Sequence, residues 1–205
     1  FSPDGRSLLA QEFISIEDQR LHLVDLATGE ATLLTPKKGA YRDALFAADG
    51  KRLFVLTDVD GDQVELQTVT LAGATVWTRL TPGARWGIES MALSADGKVL
   101  ATVTNEDGYG VLRLLDTKSG KELARPPIPK GLIGQLAFAK KAPILGFGFG
   151  GSTVSGDAYT YDLRTKKATR WTQSEIGGLD PKRFVEPELF RYKTFDGRDI
   201  PCFLY

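Results

Sequence analysis

The sequence predicts an all-β chain: a partial β-propeller of about four four-stranded antiparallel blades, followed by a short C-terminal linker and hairpin. Three observations predict it. Asp-Gly recurs at Asp4-Gly5, Asp49-Gly50 and Asp96-Gly97, at spacings of 45 and 47 residues. A second signature, an apolar residue and Asp leading into a turn, recurs in step at Val24-Asp25, Leu115-Asp116 and Tyr161-Asp162. The runs between these turns are rich in Val, Ile, Thr, Tyr, Phe and Trp, which suit pleated, half-buried surfaces. A repeat of about 40–50 residues made of four short strands is a propeller blade.

Each turn signature has a physical reason. Glycine after Asp supplies the positive φ that a tight hairpin needs, and Asp bonds backbone amides one or two residues on. The first copy, Phe1-Ser2-Pro3-Asp4-Gly5, leads into Leu8-Leu9-Ala10. The second leads into Leu53-Phe54-Val55-Leu56, and the third into Val99-Leu100-Ala101-Thr102-Val103. A degraded fourth copy, Leu136 to Lys141, leads into Ile144-Leu145-Gly146-Phe147. Val69-Thr70-Leu71-Ala72-Gly73 fills the second register of the Asp signature, and Thr-Pro closes two copies at Thr35-Pro36 and Thr81-Pro82.

The expected blades lie near 1–36, 37–82, 83–129 and 130–174. The second has strands near 41–46, 51–57, 64–70 and 76–80. The third has them near 87–93, 98–104, 110–116 and 121–124. The fourth has them near 132–138, 143–149, 157–163 and 167–172. The first has only three, near 7–14, 20–26 and 30–35, and its innermost strand would precede Phe1. The absence of an initiator Met and of a leader before Phe1-Ser2-Pro3 also reads as a segment of something longer.

Composition narrows the function. The 205 residues hold 26 Lys+Arg and 26 Asp+Glu, a formal net charge of zero. A phosphate-binding domain is expected to be strongly basic, and a membrane-surface element polybasic. Neither nucleic acid nor a membrane is therefore expected as a partner. No run of 18 apolar residues predicts a spanning helix. Cys202 is the one cysteine, which excludes an internal disulfide and a multi-cysteine zinc site.

Residues 175–205 break the repeat. Asp180 is placed to cap a short helical turn with Pro181 in its first position. Two strands around Asp196-Gly197 then form a hairpin whose second strand, Ile200 to Tyr205, is strongly apolar. Here the chain resembles the middle of a serine peptidase of the prolyl oligopeptidase family. The residues that carry the resemblance are Glu186-Pro187-Glu188-Leu189 and Thr194-Phe195-Asp196-Gly197-Arg198-Asp199-Ile200-Pro201-Cys202-Phe203-Leu204-Tyr205, with Thr104 to Tyr109 and Leu112 to Asp116 inside the propeller. The resemblance implies a seven-bladed propeller, a crossover at 175–205, and an α/β-hydrolase domain beyond it. It also implies hydrolysis of short peptides, with the propeller gating access. Blade motifs alone fit a second reading, an interaction scaffold similar to the propeller of the Tol translocation protein.

No catalytic, cofactor-binding or metal residue is expected within the segment. The family's Ser sits in a G-x-S-x-G elbow, whereas Gly150-Gly151-Ser152-Thr153-Val154 lacks the closing glycine. His22, the one histidine, lies among apolar strand residues far upstream of the crossover. Gly146-Phe147-Gly148-Phe149-Gly150-Gly151 fits a dinucleotide fingerprint in letters, but no helix start follows it. Asp58-Val59-Asp60-Gly61-Asp62 has its glycine in the fourth place rather than the sixth of an EF-hand loop, so it reads as a polar hairpin, as does Asn105 to Gly108. Arg85-Trp86-Gly87-Ile88-Glu89 precedes an inner strand, either packing between blades or facing a substrate. Cys202 has no basic neighbour to activate it. With four blades at the minimum for a closed ring, the expected shape is an open arc, with self-association through its open edges.

Overall fold

A computed structural model describes all 205 residues, Phe1–Tyr205. The first sheet holds β1 (Ser7–Ser15), β2 (Asp18–Asp25) and β3 (Ala31–Leu33). The second holds β4 (Tyr41–Phe46), β5 (Arg52–Thr57), β6 (Glu65–Thr70) and β7 (Val76–Arg79). The third holds β8 (Ile88–Leu93), β9 (Val99–Glu106), β10 (Tyr109–Asp116) and β11 (Glu122–Ala124). The fourth holds β12 (Leu132–Phe138), β13 (Ile144–Gly151), β14 (Val154–Asp162) and β15 (Lys167–Arg170). All four are antiparallel meanders in chain order. A separate two-stranded hairpin, β16 (Glu188–Lys193) with β17 (Asp199–Leu204), ends the chain.

The turns form as their residues dictate. Gly5, Gly50 and Gly97 stand at φ 71, 67 and 69°. The Ser94 hydroxyl accepts from the Val99 amide and donates to Asp96, and Ser2 repeats both bonds with Ser7 and Asp4. Asp25, Asp116 and Asp162 each accept from the amides two and three residues ahead. Gly29 and Gly120 close two of these turns at φ 75 and 68°, and Lys166 closes the third at φ 57°.

Each apolar core lies between two sheets. Leu21 and Leu34 of the first blade meet Tyr41, Leu53, Val55 and Val69 of the second. Phe54, Leu56, Val64 and Leu66 meet Ile88, Met91, Leu100 and Leu115. Ala101, Val103, Leu112 and Leu114 meet Ile133, Leu145, Phe147, Phe149 and Tyr161. The alternation of strand side chains produces this arrangement: a central sheet sends one set of residues to each neighbour. Polar groups are paired at the seam between the first two blades. Buried Gln19 accepts from the Tyr41 amide at 3.1 Å and from Gln11 Nε2 at 2.9 Å.

Contacts run from β2 to β4, from β4 to β8 and from β8 to β12, and no comparable contact joins the fourth sheet to the first. The assembly is an open arc. One end exposes Phe13 and Ile16 beside the unpaired edge of β1. The other exposes Leu132 and Trp171 around a trough floored by Gly146, Gly148 and Gly150.

The strands depart from expectation mainly in the fourth sheet. β13 runs on to Gly151 and β14 begins at Val154, because the ladder continues through the Gly151–Val154 pair and leaves only Ser152 and Thr153 as the turn. In the third sheet β9 and β10 likewise extend to a pair between Glu106 and Tyr109.

Candidate functional site: the crossover hairpin on the third blade

The linker after β15 is tied to the fourth blade by Asp157. Its side chain accepts from Arg170 Nη2 at 2.5 Å, Thr172 Oγ1 at 2.8 Å and the Ser174 amide at 2.8 Å. Burial disfavours the Asp157 charge, but these donors together outweigh burial and hold its carboxyl below the usual range. Further on, Asp180 caps a 3-10 turn, Pro181–Arg183, by accepting from the Lys182 amide at 3.0 Å. This is the cap and the proline position that the sequence predicts.

The hairpin is paired from Glu188–Leu204 to Lys193–Asp199. Its turn is built by Asp196, which accepts from Arg198 Nε at 2.7 Å, and by Gly197 at φ 80°. The hairpin rests on the β9–β10 turn of the third blade. Phe203 lies edge-on to Tyr109, with ring centroids 5.0 Å apart. Arg191 is ion-paired with Asp107. Asp107 and Gly108 both have positive φ, 53 and 88°. A side chain at Gly108 would collide with the Phe203 ring, since its Cβ would fall 2.5 Å from Cε2. The glycine thus serves both the turn and the seat of the hairpin.

Beside this seat lies a cleft of about 550 Å³ between the hairpin and the fourth blade, bordered by Tyr109, Lys130, Ser152, Ser155, Pro187 and Phe203. Lys130 Nζ stands 5.5 Å from the centre of the Tyr109 ring. The Tyr109 hydroxyl is buried without a hydrogen-bond partner.

The residues weighed in the sequence are dispersed. His22 lies on the first sheet, with Nε2 3.2 Å from Glu12 Oε2. Ser152 sits in the β13–β14 turn, and the glycine run before it is a strand leading into another strand. Asp58 accepts from the Ala40 amide, and Asp60 is held by Lys37 at 2.6 Å and Gln67 at 2.8 Å. Asn105 accepts from the Gly108 amide at 2.8 Å, a turn role. Glu106 is instead committed to Arg113, which also reaches Thr104 and Glu122. Arg85 stacks over Trp86 at 5.2 Å, at a crevice of about 270 Å³ between the second and third blades. Cys202 is half-buried in β17 opposite Phe190. The contacts that sequence reasoning missed are Asp107 with Arg191 and Tyr109 with Phe203. Asp107 lies in the segment that the sequence singled out as a turn, and Tyr109 directly follows it at the start of β10.

No family model matches the chain, and no curated protein does. Solved structures match it closely in shape. Prolyl oligopeptidase B from Galerina marginata superposes with a TM-score of 0.80 at 18% identity, covering 98% of this chain and 29% of that one. A structure from a study of two prolyl endopeptidases, concerned with inter-domain dynamics in catalysis and specificity, gives 0.79 at 19% identity, covering 99% and 30%. TolB from Acinetobacter baumannii gives 0.68 at 16% identity, covering 94% and 47%. The chain therefore has the fold of a propeller-containing segment of the prolyl oligopeptidases, and spans less than a third of their length.

Proposed function

We propose that this chain is the propeller and crossover of a serine peptidase of prolyl oligopeptidase type. In this reading the propeller gates access of short peptides to an active site carried by an α/β-hydrolase domain. The observation that carries it is the hairpin. Residues 188–204 form a second small sheet seated on the third blade, and the match to prolyl oligopeptidases runs through 98% of the chain. A propeller has no structural need of that element, whereas a covering domain needs an anchored first strand pair.

The test is made on the full-length gene product. A fluorophosphonate should label one serine, block hydrolysis of short peptides, and leave the isolated segment of 205 residues unlabelled. A full-length product that neither reacts nor cleaves peptides overturns the reading. The likeness to TolB supports a second one, a binding propeller with no hydrolytic partner domain. Stable capture of a folded protein by a product that lacks the reactive serine would favour it.

A further inference from the structure

The innermost strands of three successive blades share an irregularity. Pairing of β4 with β5 skips a residue between Tyr41 and Asp43. Pairing of β8 with β9 skips one between Ile88 and Ser90. Pairing of β12 with β13 shifts between Gly134 and Ala137. Each is a β-bulge, which re-aims side chains: one residue falls outside the ladder in β4 and in β8, and in β12 Gln135 and Leu136 face Phe147 alone. The residues so displaced are Arg42 and Glu89, and in β12 Gln135 is held at φ 55°. All three are exposed, although Tyr41 and Ile88, their neighbours in the first two blades, are buried. A chance packing fault would not return in three blades, at nearly the same place, with a polar residue each time.

Their position is defined by the topology. β4, β8 and β12 touch one another in succession and line the inner side of the arc. Ile88, at the start of β8, pairs with Thr104 near the end of β9. β9 then enters the Asp107-Gly108 turn that seats the hairpin. The first two bulges therefore lie at the hairpin-side mouth of the inner channel, and that of β12 lies deeper along the same lining.

Their polar groups are little engaged within the fold. Glu89 has neither an ion pair nor a hydrogen bond, and Gln135 has no hydrogen bond. Arg42 has only Asp58, at 3.8 Å. Arg42 and Glu89 stand on adjacent inner strands without pairing with each other. The Arg79–Glu65 pair, by contrast, is held by two bonds of 2.7 Å.

We propose that Arg42, Glu89 and Gln135 form a polar ring that binds short peptides at this mouth. Glu89 takes a cationic group of the peptide, Arg42 a carbonyl or carboxylate, and Gln135 a main-chain amide. The peptide nature of the ligand rests on the peptidase reading above.

The experiment uses the full-length protein and fluorescently labelled short peptides, read by polarisation. The peptides differ in one feature at a time: a free or acetylated amino terminus, a free or amidated carboxyl terminus, and Lys or norleucine within the sequence. The expected result is that Glu89→Gln weakens binding of the cationic peptide about three- to tenfold, as for a charge-assisted contact at a partly exposed site. The uncharged analogue should be unaffected, and Glu89→Lys should reverse the preference. Arg42→Gln should act in the same way on peptides with a free rather than amidated carboxyl terminus. Dependence on the amino terminus or on Lys identifies the source of the cation. If wild type and variants bind every peptide within about twofold of one another, or if wild type binds none, the ring is overturned. Fluorophosphonate labelling separates the two ideas. Labelling and cleavage without any effect of the variants overturns only the ring. Charge-dependent binding without labelling overturns only the peptidase.

Discussion

Phe203 closes edge-on against Tyr109, 5.0 Å between ring centroids and 68° between ring planes, and so joins the last strand of the chain to a turn in the third blade. With the Arg191–Asp107 ion pair beside it, this contact is the main tie between the hairpin and the propeller. Phe203→Ala should release the hairpin while leaving the blades folded. Amide exchange in 188–204 should accelerate strongly, with little change in the sheets. A double-mutant cycle with Tyr109→Ala should give a coupling of about 0.5–1.5 kcal/mol. Unchanged protection in the hairpin would contradict this.

Gly97 carries two constraints. Its φ is 69°, and a Cβ there would fall 2.5 Å from the Ala48 Cβ of the preceding blade. Gly97→Ala should therefore destabilise by about 1–3 kcal/mol, from backbone strain and overpacking together. Gly5 has similar φ but open space around it, so Gly5→Ala should cost less. Chemical denaturation of both variants gives the comparison.

Lys166 occupies the place of Gly29 and Gly120 in the repeat and adopts φ 57°. Lys166→Gly relieves a left-handed conformation at a cost in unfolded-state entropy. The net expectation is a gain of about 0.5–1 kcal/mol. A lower denaturation midpoint in the variant would contradict it.

Asp157 makes stability depend on acid. Its carboxyl is held below its ordinary value of 3.8 by Thr172, Ser174 and Arg170 despite burial. A group with a depressed folded-state pKa stabilises fully above its unfolded pKa and loses that contribution as pH falls through the folded value. Asp157→Asn should lower the melting temperature at pH 7. The gap to wild type should narrow only below about pH 4. A gap that stays constant down to pH 2 would show that charge plays no part.

The blades were legible because their determinants are local. An Asp-Gly turn needs only neighbouring residues, and strands β4, β8 and β12 begin within a residue of where alternation places them. The cap at Asp180 was legible for the same reason. The seat of the hairpin was not. Asp107 and Arg191 are 84 residues apart in the chain, and nothing local in either position announces the other. Asn105 to Gly108 reads correctly as a turn, yet its larger role comes from what lands on it. The bulges at Arg42 and Glu89 were hidden too, since a skipped residue exists only in the register between two strands.

The three separate cores give the propeller the energetics of a short one-dimensional array. Each sheet gains its stability from nearest neighbours, so an interior sheet counts two interfaces and a terminal sheet one. Phe54, fully buried at the seam between the second and third blades, sits where the array would divide into halves. Cooperativity along such an array is set by how strongly adjacent units couple, and the whole behaves as one folding unit only while the weakest seam holds.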